Sequence, residues 1–145
     1  MSGTYIEDLA VGMSASLGKT ITESDVQMYA TVSSDTNPVH LDEAAAAASV
    51  FKQRVAHGML SAGLISAVLG TQLPGPGTIY LGQTLKFRAP VKIGDTVTAT
   101  AEVTALDPAK RRATLRTICT VDGKPVIEGE ATVLVPARPQ LAEVG

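Results

Sequence analysis

The chain is short of several residue types, and each shortage excludes a class of protein. It has a single cysteine, so no disulfide can form within it. Tryptophan is absent and aromatic residues make up only 3 % of the sequence, too few for a surface that stacks nucleic-acid bases. Charge of one sign is not in excess either, since the net charge is −2, and we expect no nucleic-acid partner.

Long apolar runs and cofactor motifs are also missing. No run approaches the roughly 20 residues of a membrane span, so we expect no membrane partner. The N-terminus, Met1-Ser2-Gly3-Thr4, has neither the basic region nor the apolar core of a signal peptide, which favours a cytoplasmic protein. No Gly-x-Gly-x-x-Gly follows a strand pattern, and no His/Cys/Asp cluster has metal-ligand spacing. We therefore predict no metal and no other cofactor.

What the chain does have is 145 residues with a 45 % hydrophobic fraction, enough for one globular domain over 1–145. Alternation of apolar and polar residues predicts a first strand from Ala15 to Ile21. Thr22 fits a helix N-cap, so a helix is expected from about Glu23 to Val32, and Asp42 can cap a short second one. Later alternation predicts strands at 79–88, 95–106, 111–121 and 125–135.

The segment from Gly58 to Leu69 is almost entirely small or aliphatic. It predicts a helix buried on nearly every face, with Gly70 as its C-terminal stop. One such helix followed by long antiparallel strands indicates an α+β domain whose sheet, of about five strands, wraps around that helix. An open sheet leaves edges, and pairing two sheets edge to edge would cover some of them, so we predict a homodimer.

The chemistry-bearing feature is an acid, Asp35, five residues before an imidazole, His40. Pro38 cannot continue the preceding helix and pushes Asn37 out of the α region. Asp35 is therefore expected at a helix end, with His40 on a constrained turn. The residues alone leave two interpretations open: a general acid–base pair, or a turn carboxylate beside a hydrogen-bonded structural histidine.

The run from Asp35 to His40, together with His57-Gly58-Met59-Leu60, resembles the signature of the MaoC-like dehydratases, also called hydratase 2. The later segments 79–83 and 85–91 strengthen the match. The resemblance spans about residues 5–136 and is closest to the single-domain (R)-specific enoyl-CoA hydratases of bacterial polyhydroxyalkanoate supply. It implies a hot-dog fold in a homodimer. One departure is Ser34, where the family often has glycine.

The resemblance implies reversible addition of water to a trans-2-enoyl-CoA, giving the (R)-3-hydroxyacyl-CoA. Asp35 and His40 would carry out the proton transfers. Gly58 would offer its backbone N–H to the thioester oxygen, because an N–H at a helix start has no helical partner. Asn37 is expected to support the bend before Pro38. For His57 we expect the backbone to matter more than the ring.

Further residues are expected around the substrate. Ser66, two helical turns after Gly58, could hydrogen-bond the acid or the imidazole, with Ser61 as an alternative polar position. Related hydratases suggest Leu69 and Val133 as walls of the acyl pocket, where bulk would favour short chains. The candidates for binding the phosphates of CoA are Lys52, Arg54, Lys86 and Arg88.

Two other functions remain open at this stage. One is a hot-dog acyl-CoA thioesterase, which would release free thiol. The other is a non-catalytic subunit that binds acyl thioesters. The turn from Asn37 to His40 favours the hydratase. The residues do not indicate the acyl chain length, the carrier (CoA or acyl-carrier protein) or the physiological direction.

Overall fold

A computed structural model describes residues 3–140 of the chain. The first two residues of the N-terminus, and residues 141–145 of the predicted domain, lie outside the described residues. The helices are α1 (Glu23–Ser33), α2 (Pro38–Leu41), α3 (Glu43–Ala47) and α4 (Gly58–Thr71). The strands are β1 (Ser14–Thr20), β2 (Ile79–Gln83), β3 (Lys86–Phe87), β4 (Thr96–Asp107), β5 (Arg112–Val121) and β6 (Lys124–Leu134). Short 3-10 turns cover Ile6–Asp8 and Pro108–Lys110.

The strands form one antiparallel sheet in the order β1-β4-β5-β6-β2, with β3 also paired to β6. This confirms the α+β prediction. The bounds predicted for β1, β4, β5 and β6 agree with the structure to within one residue at each end. Alternate residues of β4 and β5 point into the core, where they pack against the buried side of α4. The sheet therefore curves around α4 as the hydrophobic pattern predicted.

The predicted strand 79–88 is divided into β2 and β3. The division follows from a tertiary contact between Thr84 and Gly129 on β6. A Cβ at residue 129 would lie only 1.8 Å from the carbonyl oxygen of Thr84. Only glycine permits this approach. The backbone of Thr84 therefore crosses close to β6 and interrupts the ladder, which raises the strand count to six.

Helix α4 differs from its prediction in two respects. It continues one residue past Gly70 to Thr71, and it is not buried on nearly every face. The sheet covers Ile65, Val68 and Leu69, but the opposite side of the helix is open in the single chain. Between the two end residues of the helix, the exposed positions follow helical spacing and are Met59, Gly63, Ser66 and Gly70.

Helix α1 begins as predicted. The hydroxyl oxygen of Thr22 accepts a hydrogen bond from the backbone N–H of Asp25, and the Asp25 carboxylate accepts one from the N–H of Thr22, which is a capping box. Within residues 3–140, no helix combines the length and the apolar character needed to cross a membrane.

Candidate active site

The segment that carries Asp35 is shaped by turn residues. Ser34, at the end of α1, adopts the left-handed conformation with φ 66°. Asn37 then caps α2, accepting a hydrogen bond from the N–H of Val39 through its side-chain oxygen, and Pro38 occupies the first helical position. Proline therefore starts a new turn of helix here, and His40 lies on this single turn instead of on a loop.

Asp35 and His40 line one cavity of about 590 Å³. One carboxylate oxygen of Asp35 and one ring nitrogen each of His40 and His57 lie within 4.8 Å of one another. In the single chain Asp35 is exposed and His40 is half-buried, so both can reach a ligand in the cavity. The acid and the imidazole therefore face the same cavity.

The ring of His40 is fixed by a backbone carbonyl. Its Nδ1 lies 2.7 Å from the carbonyl oxygen of Val55, 15 positions away in the chain. A carbonyl oxygen only accepts, so Nδ1 carries the hydrogen. In the neutral ring Nε2 therefore holds a free lone pair. This tautomer makes His40 able to accept a proton at Nε2.

The main chain of the same histidine is held by Arg54. Its Nε–H donates to the carbonyl oxygen of His40 at 2.8 Å, while its two terminal nitrogens bind the Glu23 carboxylate of α1 at 2.8 Å each. The hydrogen bond from Arg54 is the main cause that lowers the pKa of Glu23. The sequence analysis listed Arg54 as a candidate for binding the phosphates of CoA. In the structure its guanidinium group instead binds Glu23 and His40.

His57 follows in the same segment and is almost fully buried, at 2 % exposure. Its Nε2 lies 2.9 Å from the backbone carbonyl oxygen of Asp35, so Nε2–H donates. Its ring stacks on that of His40 with centroids 3.9 Å apart, and the ring of Tyr29 lies on it at 4.7 Å in a tilted arrangement. The sequence analysis expected the backbone of His57 to matter more than its ring, whereas the structure gives the ring these three contacts.

Gly58 is the first residue of α4, directly after His57. Its N–H points out of the helix start, where no helical carbonyl can accept it and where the helix dipole favours negative charge. The ring of Phe87 covers the glycine so closely that a Cβ there would lie 2.6 Å from the ring. Gly58 and Phe87 both line the cavity of Asp35 and His40.

The other predicted site residues lie elsewhere in the single chain. Ser66 is exposed and lines a separate groove of about 450 Å³ beside β2. Leu69 and Val133 are buried in the core, at 2 % and 0 % exposure. The structure therefore groups Asp35, Asn37, His40 and Gly58, and it does not bring Ser66, Leu69 and Val133 to that cavity.

Ser61 lies one turn after Gly58 and lines the main cavity. Its hydroxyl oxygen is buried without a hydrogen-bond partner among the described residues. Next to it, the Sγ of Cys119 donates a weak bond to the Ser61 carbonyl oxygen at 3.7 Å. Burial raises the pKa of the Cys119 thiol to about 11, which keeps the thiol protonated and makes it a poor nucleophile.

The other three residues predicted to bind the phosphates of CoA do not lie together. Arg88 lines the main cavity and pairs with Glu128 at 3.0 Å. Lys52 lies in a different groove together with Glu23 and Glu43, and Lys86 belongs to the exposed strand β3. Of the predicted phosphate-binding candidates, Arg88 is the one at the mouth of this cavity.

A metal ion does not suit the cluster of Asp35, His40 and His57, despite its close spacing. Each ring gives one nitrogen to a backbone carbonyl, which leaves one nitrogen per ring for a ligand and does not by itself exclude a metal. The two rings, however, stack with an interplanar angle of 29°. A metal binds in the plane of each imidazole, and lone pairs of stacked rings do not converge on one point. The chemistry that this arrangement supports is proton transfer.

Known proteins are similar to this chain over most of its length. A family model described as "MaoC like domain" matches residues 10–129. The curated (R)-specific enoyl-CoA hydratase of Rhodospirillum rubrum is 66 % identical over 134 residues, which is 92 % of this chain and 93 % of that protein.

Two solved structures are similar throughout. The R-hydratase PhaJ1 from Pseudomonas aeruginosa superposes with a TM-score of 0.89 and 48 % identity, covering 99 % of this chain and 94 % of that one. The (R)-hydratase from A. caviae involved in PHA biosynthesis gives a TM-score of 0.87 at 48 % identity, covering 90 % and 99 %. The hot-dog architecture is therefore confirmed.

Proposed function

Because this chain belongs to the MaoC-like family, we propose that it is an (R)-specific enoyl-CoA hydratase, a hydro-lyase that adds water reversibly to trans-2-enoyl-CoA. The observation that carries the proposal is the pair Asp35 and His40, facing one cavity beside the N–H of Gly58. The identity of 66 % to a curated hydratase over most of both chains supports it. The product would serve polyhydroxyalkanoate or fatty-acid metabolism.

In the proposed mechanism Asp35 and His40 hold one water molecule. Nε2 of His40 and a carboxylate oxygen of Asp35 both accept hydrogen bonds, so the water donates to both and turns a lone pair toward C3 of the substrate. As the C–O bond forms, one of the pair takes a proton from the water. The pair then delivers a proton to C2 on the same face, so that it ends in its starting state.

Negative charge collects on the thioester oxygen as the enolate forms. The N–H of Gly58 is the donor that we assign to this oxygen. Its position at the first residue of α4 supports the assignment, because the helix dipole adds to the hydrogen bond. Phe87 lies against this glycine and would hold the thioester in place.

We propose that the protein acts as a homodimer joined along β2. This strand is the last of the sheet order and exposes apolar side chains, with Ile79 at 55 % and Leu81 at 46 % exposure. The open side of α4 continues the same surface through Met59 and Ser66. A second copy seated there would cover the groove and place Ser66 at the interface between subunits.

We expect the reaction to need no metal and no other cofactor, since the proposed pair supplies both proton transfers. Leu69 and Val133 do not line the cavity in the single chain, but we keep the proposal that they limit acyl length, with short to medium chains as substrates. An acyl-CoA substrate also favours a cytoplasmic location, where CoA esters are made and used.

The test is direct. Purified protein mixed with crotonyl-CoA should lower the absorbance of the enoyl thioester in the presence of a chelator, and chiral analysis should identify the (R)-3-hydroxy product. A thiol-reactive dye in the same assay should stay colourless. Release of free thiol would indicate the thioesterase instead, and saturable binding with an unchanged ligand would indicate a binding subunit.

A further inference from the structure

We propose that His57 is a positioning residue that holds both members of the catalytic pair in register, through its ring and not only through its backbone. The inference rests on the proposed hydratase function. Its support is a pair of contacts from one imidazole: a hydrogen bond to the main chain of Asp35 and a stack on the ring of His40.

The hydrogen bond fixes the acid. Asp35 follows Ser34, which is in the left-handed region, and it precedes the turn capped by Asn37. The segment is exposed, so solvent competes for its backbone groups. The 2.9 Å bond from Nε2–H of His57 ties the Asp35 carbonyl to the buried N-cap residue of α4. Without it, the carboxylate loses its link to the helix that carries Gly58.

The stack fixes the base. Val55 holds one edge of the His40 ring through Nδ1, but a single hydrogen bond still allows the ring to tilt about it. His57 covers the face of that ring at a centroid distance of 3.9 Å, and Tyr29 supports His57 from another direction at 4.7 Å. The edge bond and the covered face together orient Nε2 of His40 toward the cavity.

If the side chain at residue 57 only filled space in the core, an apolar residue would suit the position better than histidine. His57 is only 2 % exposed, and its Nδ1 has no hydrogen-bond partner among the described residues. An unpaired buried acceptor opposes folding, and a phenylalanine or leucine would fill the space without it. The imidazole is therefore explained by what its other nitrogen and its ring face do.

Three substitutions separate the two contacts. His57→Gln keeps an N–H donor near Nε2 but has no ring, His57→Phe keeps a ring but has no donor, and His57→Ala has neither. Small misplacements of reacting groups lower rates by about 100-fold. We expect kcat to fall about 100-fold in His57→Ala and about tenfold in each of the other two, with KM for crotonyl-CoA within about threefold of the wild-type value.

Val68→Ala is the control for general loosening of the core. Val68 is a fully buried residue of α4 that does not line the cavity. This variant should lower thermal stability while kcat per folded molecule stays unchanged. An equal loss of kcat in Val68→Ala and His57→Ala would overturn the inference. So would a His57→Ala enzyme with kcat within about threefold of the wild-type value.

A measurement without substrate keeps this test separate from the proposed function. The chain has two histidines, so in each His57 variant the only imidazole signals come from His40. Carbon NMR relaxation should show a rigid His40 ring in the wild-type protein and a ring of larger motion in His57→Ala, because the single hydrogen bond to Val55 still allows the ring to tilt. An equally rigid His40 ring in His57→Ala would overturn the inference. A wild-type protein inactive on enoyl-CoA would contradict only the proposed function.

Discussion

The Nδ1 of His40 lies 2.7 Å from the carbonyl oxygen of Val55, and this bond decides which nitrogen of the imidazole is free. Val55 in turn bridges to Lys92 before β4, and its N–H points at the carbonyl of Val39. The tautomer of the proposed base is therefore set by a segment that is anchored both to α2 and to the approach to the sheet.

The first prediction concerns the pair itself. Asp35→Asn and His40→Gln remove a proton-transfer group while nearly preserving shape and hydrogen bonding. Each should lower kcat on crotonyl-CoA by about two orders of magnitude or more, the usual scale for a general acid or base. Both positions lie near the surface, so thermal melting should be close to that of the wild-type protein. Near-normal turnover in both variants would refute the site assignment.

The second prediction concerns Arg54, which holds the main chain of His40 through its Nε–H. Arg54→Ala should lower kcat about tenfold, because the turn that carries His40 loses its anchor. Glu23→Gln is the matched control, since it weakens the ion pair with Arg54 but leaves the Nε–H bond to His40. It should change kcat less than about threefold, as expected of an exposed pair.

If Arg54 instead bound the phosphates of CoA, Arg54→Ala would raise KM for crotonyl-CoA and leave kcat unchanged. Replacing crotonyl-CoA by a truncated pantetheine thioester would then abolish the difference between variant and wild type. The structure, in which His40 and Glu23 engage all three guanidinium nitrogens of Arg54, predicts the opposite result.

The third prediction concerns the closeness of Gly58 and Phe87. A Cβ at residue 58 would lie 2.6 Å from the Phe87 ring, so Gly58→Ala must displace that ring. The ring is half-exposed and can move, so the fold should survive. We expect kcat to fall at least tenfold, because the thioester loses its fit against the N–H donor.

The double variant with Phe87→Leu separates the two causes of that loss. A leucine leaves room for the new methyl group, so activity should return toward the level of Phe87→Leu alone. Equal losses in Gly58→Ala with and without Phe87→Leu would instead indicate that the methyl group blocks the substrate itself.

Local signals in the sequence predicted most of this architecture. Alternation fixed the long strands, Thr22 marked the start of α1, and Pro38 separated α1 from the turn of His40. These features depend on neighbours within a few residues, which is the range over which propensity and capping act. The short separation of Asp35 and His40 suggested a pair, but the residues alone left a structural role open, and the family resemblance favoured the pair.

Contacts made over longer separations were not predictable. Arg54 reaches back to Glu23 and His40, and the ring of His57 bonds a carbonyl 22 positions earlier. Thr84 divides a predicted strand because it meets Gly129 on a distant one. In each case the determinant is a tertiary contact, and no periodicity in the sequence reports it. The open side of α4 was missed because apolar composition does not say which surface covers it.

The fourth prediction tests the proposed dimer. Leu81 is exposed on the edge strand β2, and a charge there would face its own copy across a symmetric interface. Leu81→Glu should therefore convert the dimer to a monomer in light scattering, since like charges and a lost apolar contact oppose association. Val11→Glu, at a position with 64 % exposure away from β2, should leave the mass unchanged. A dimer that persists in Leu81→Glu would place the interface elsewhere.

The fifth prediction starts from Ser34, the residue where this chain departs from the glycine often seen in its family. Its φ of 66° places a Cβ-bearing residue in the left-handed region, at a cost of about 1–2 kcal/mol. Ser34→Gly removes that strain, while the greater freedom of glycine in the unfolded chain offsets about 0.5–1 kcal/mol of the gain. We expect the free energy of unfolding in urea to rise by about 0.5–1 kcal/mol. Ser24→Gly, at a helical position in the first turn of α1, should lower it instead, by up to about 1 kcal/mol.

Turnover should stay near the wild-type value in Ser34→Gly, because the backbone that presents Asp35 keeps the same conformation. A loss of turnover with a gain in stability would instead mean that the serine side chain itself takes part in placing the acid.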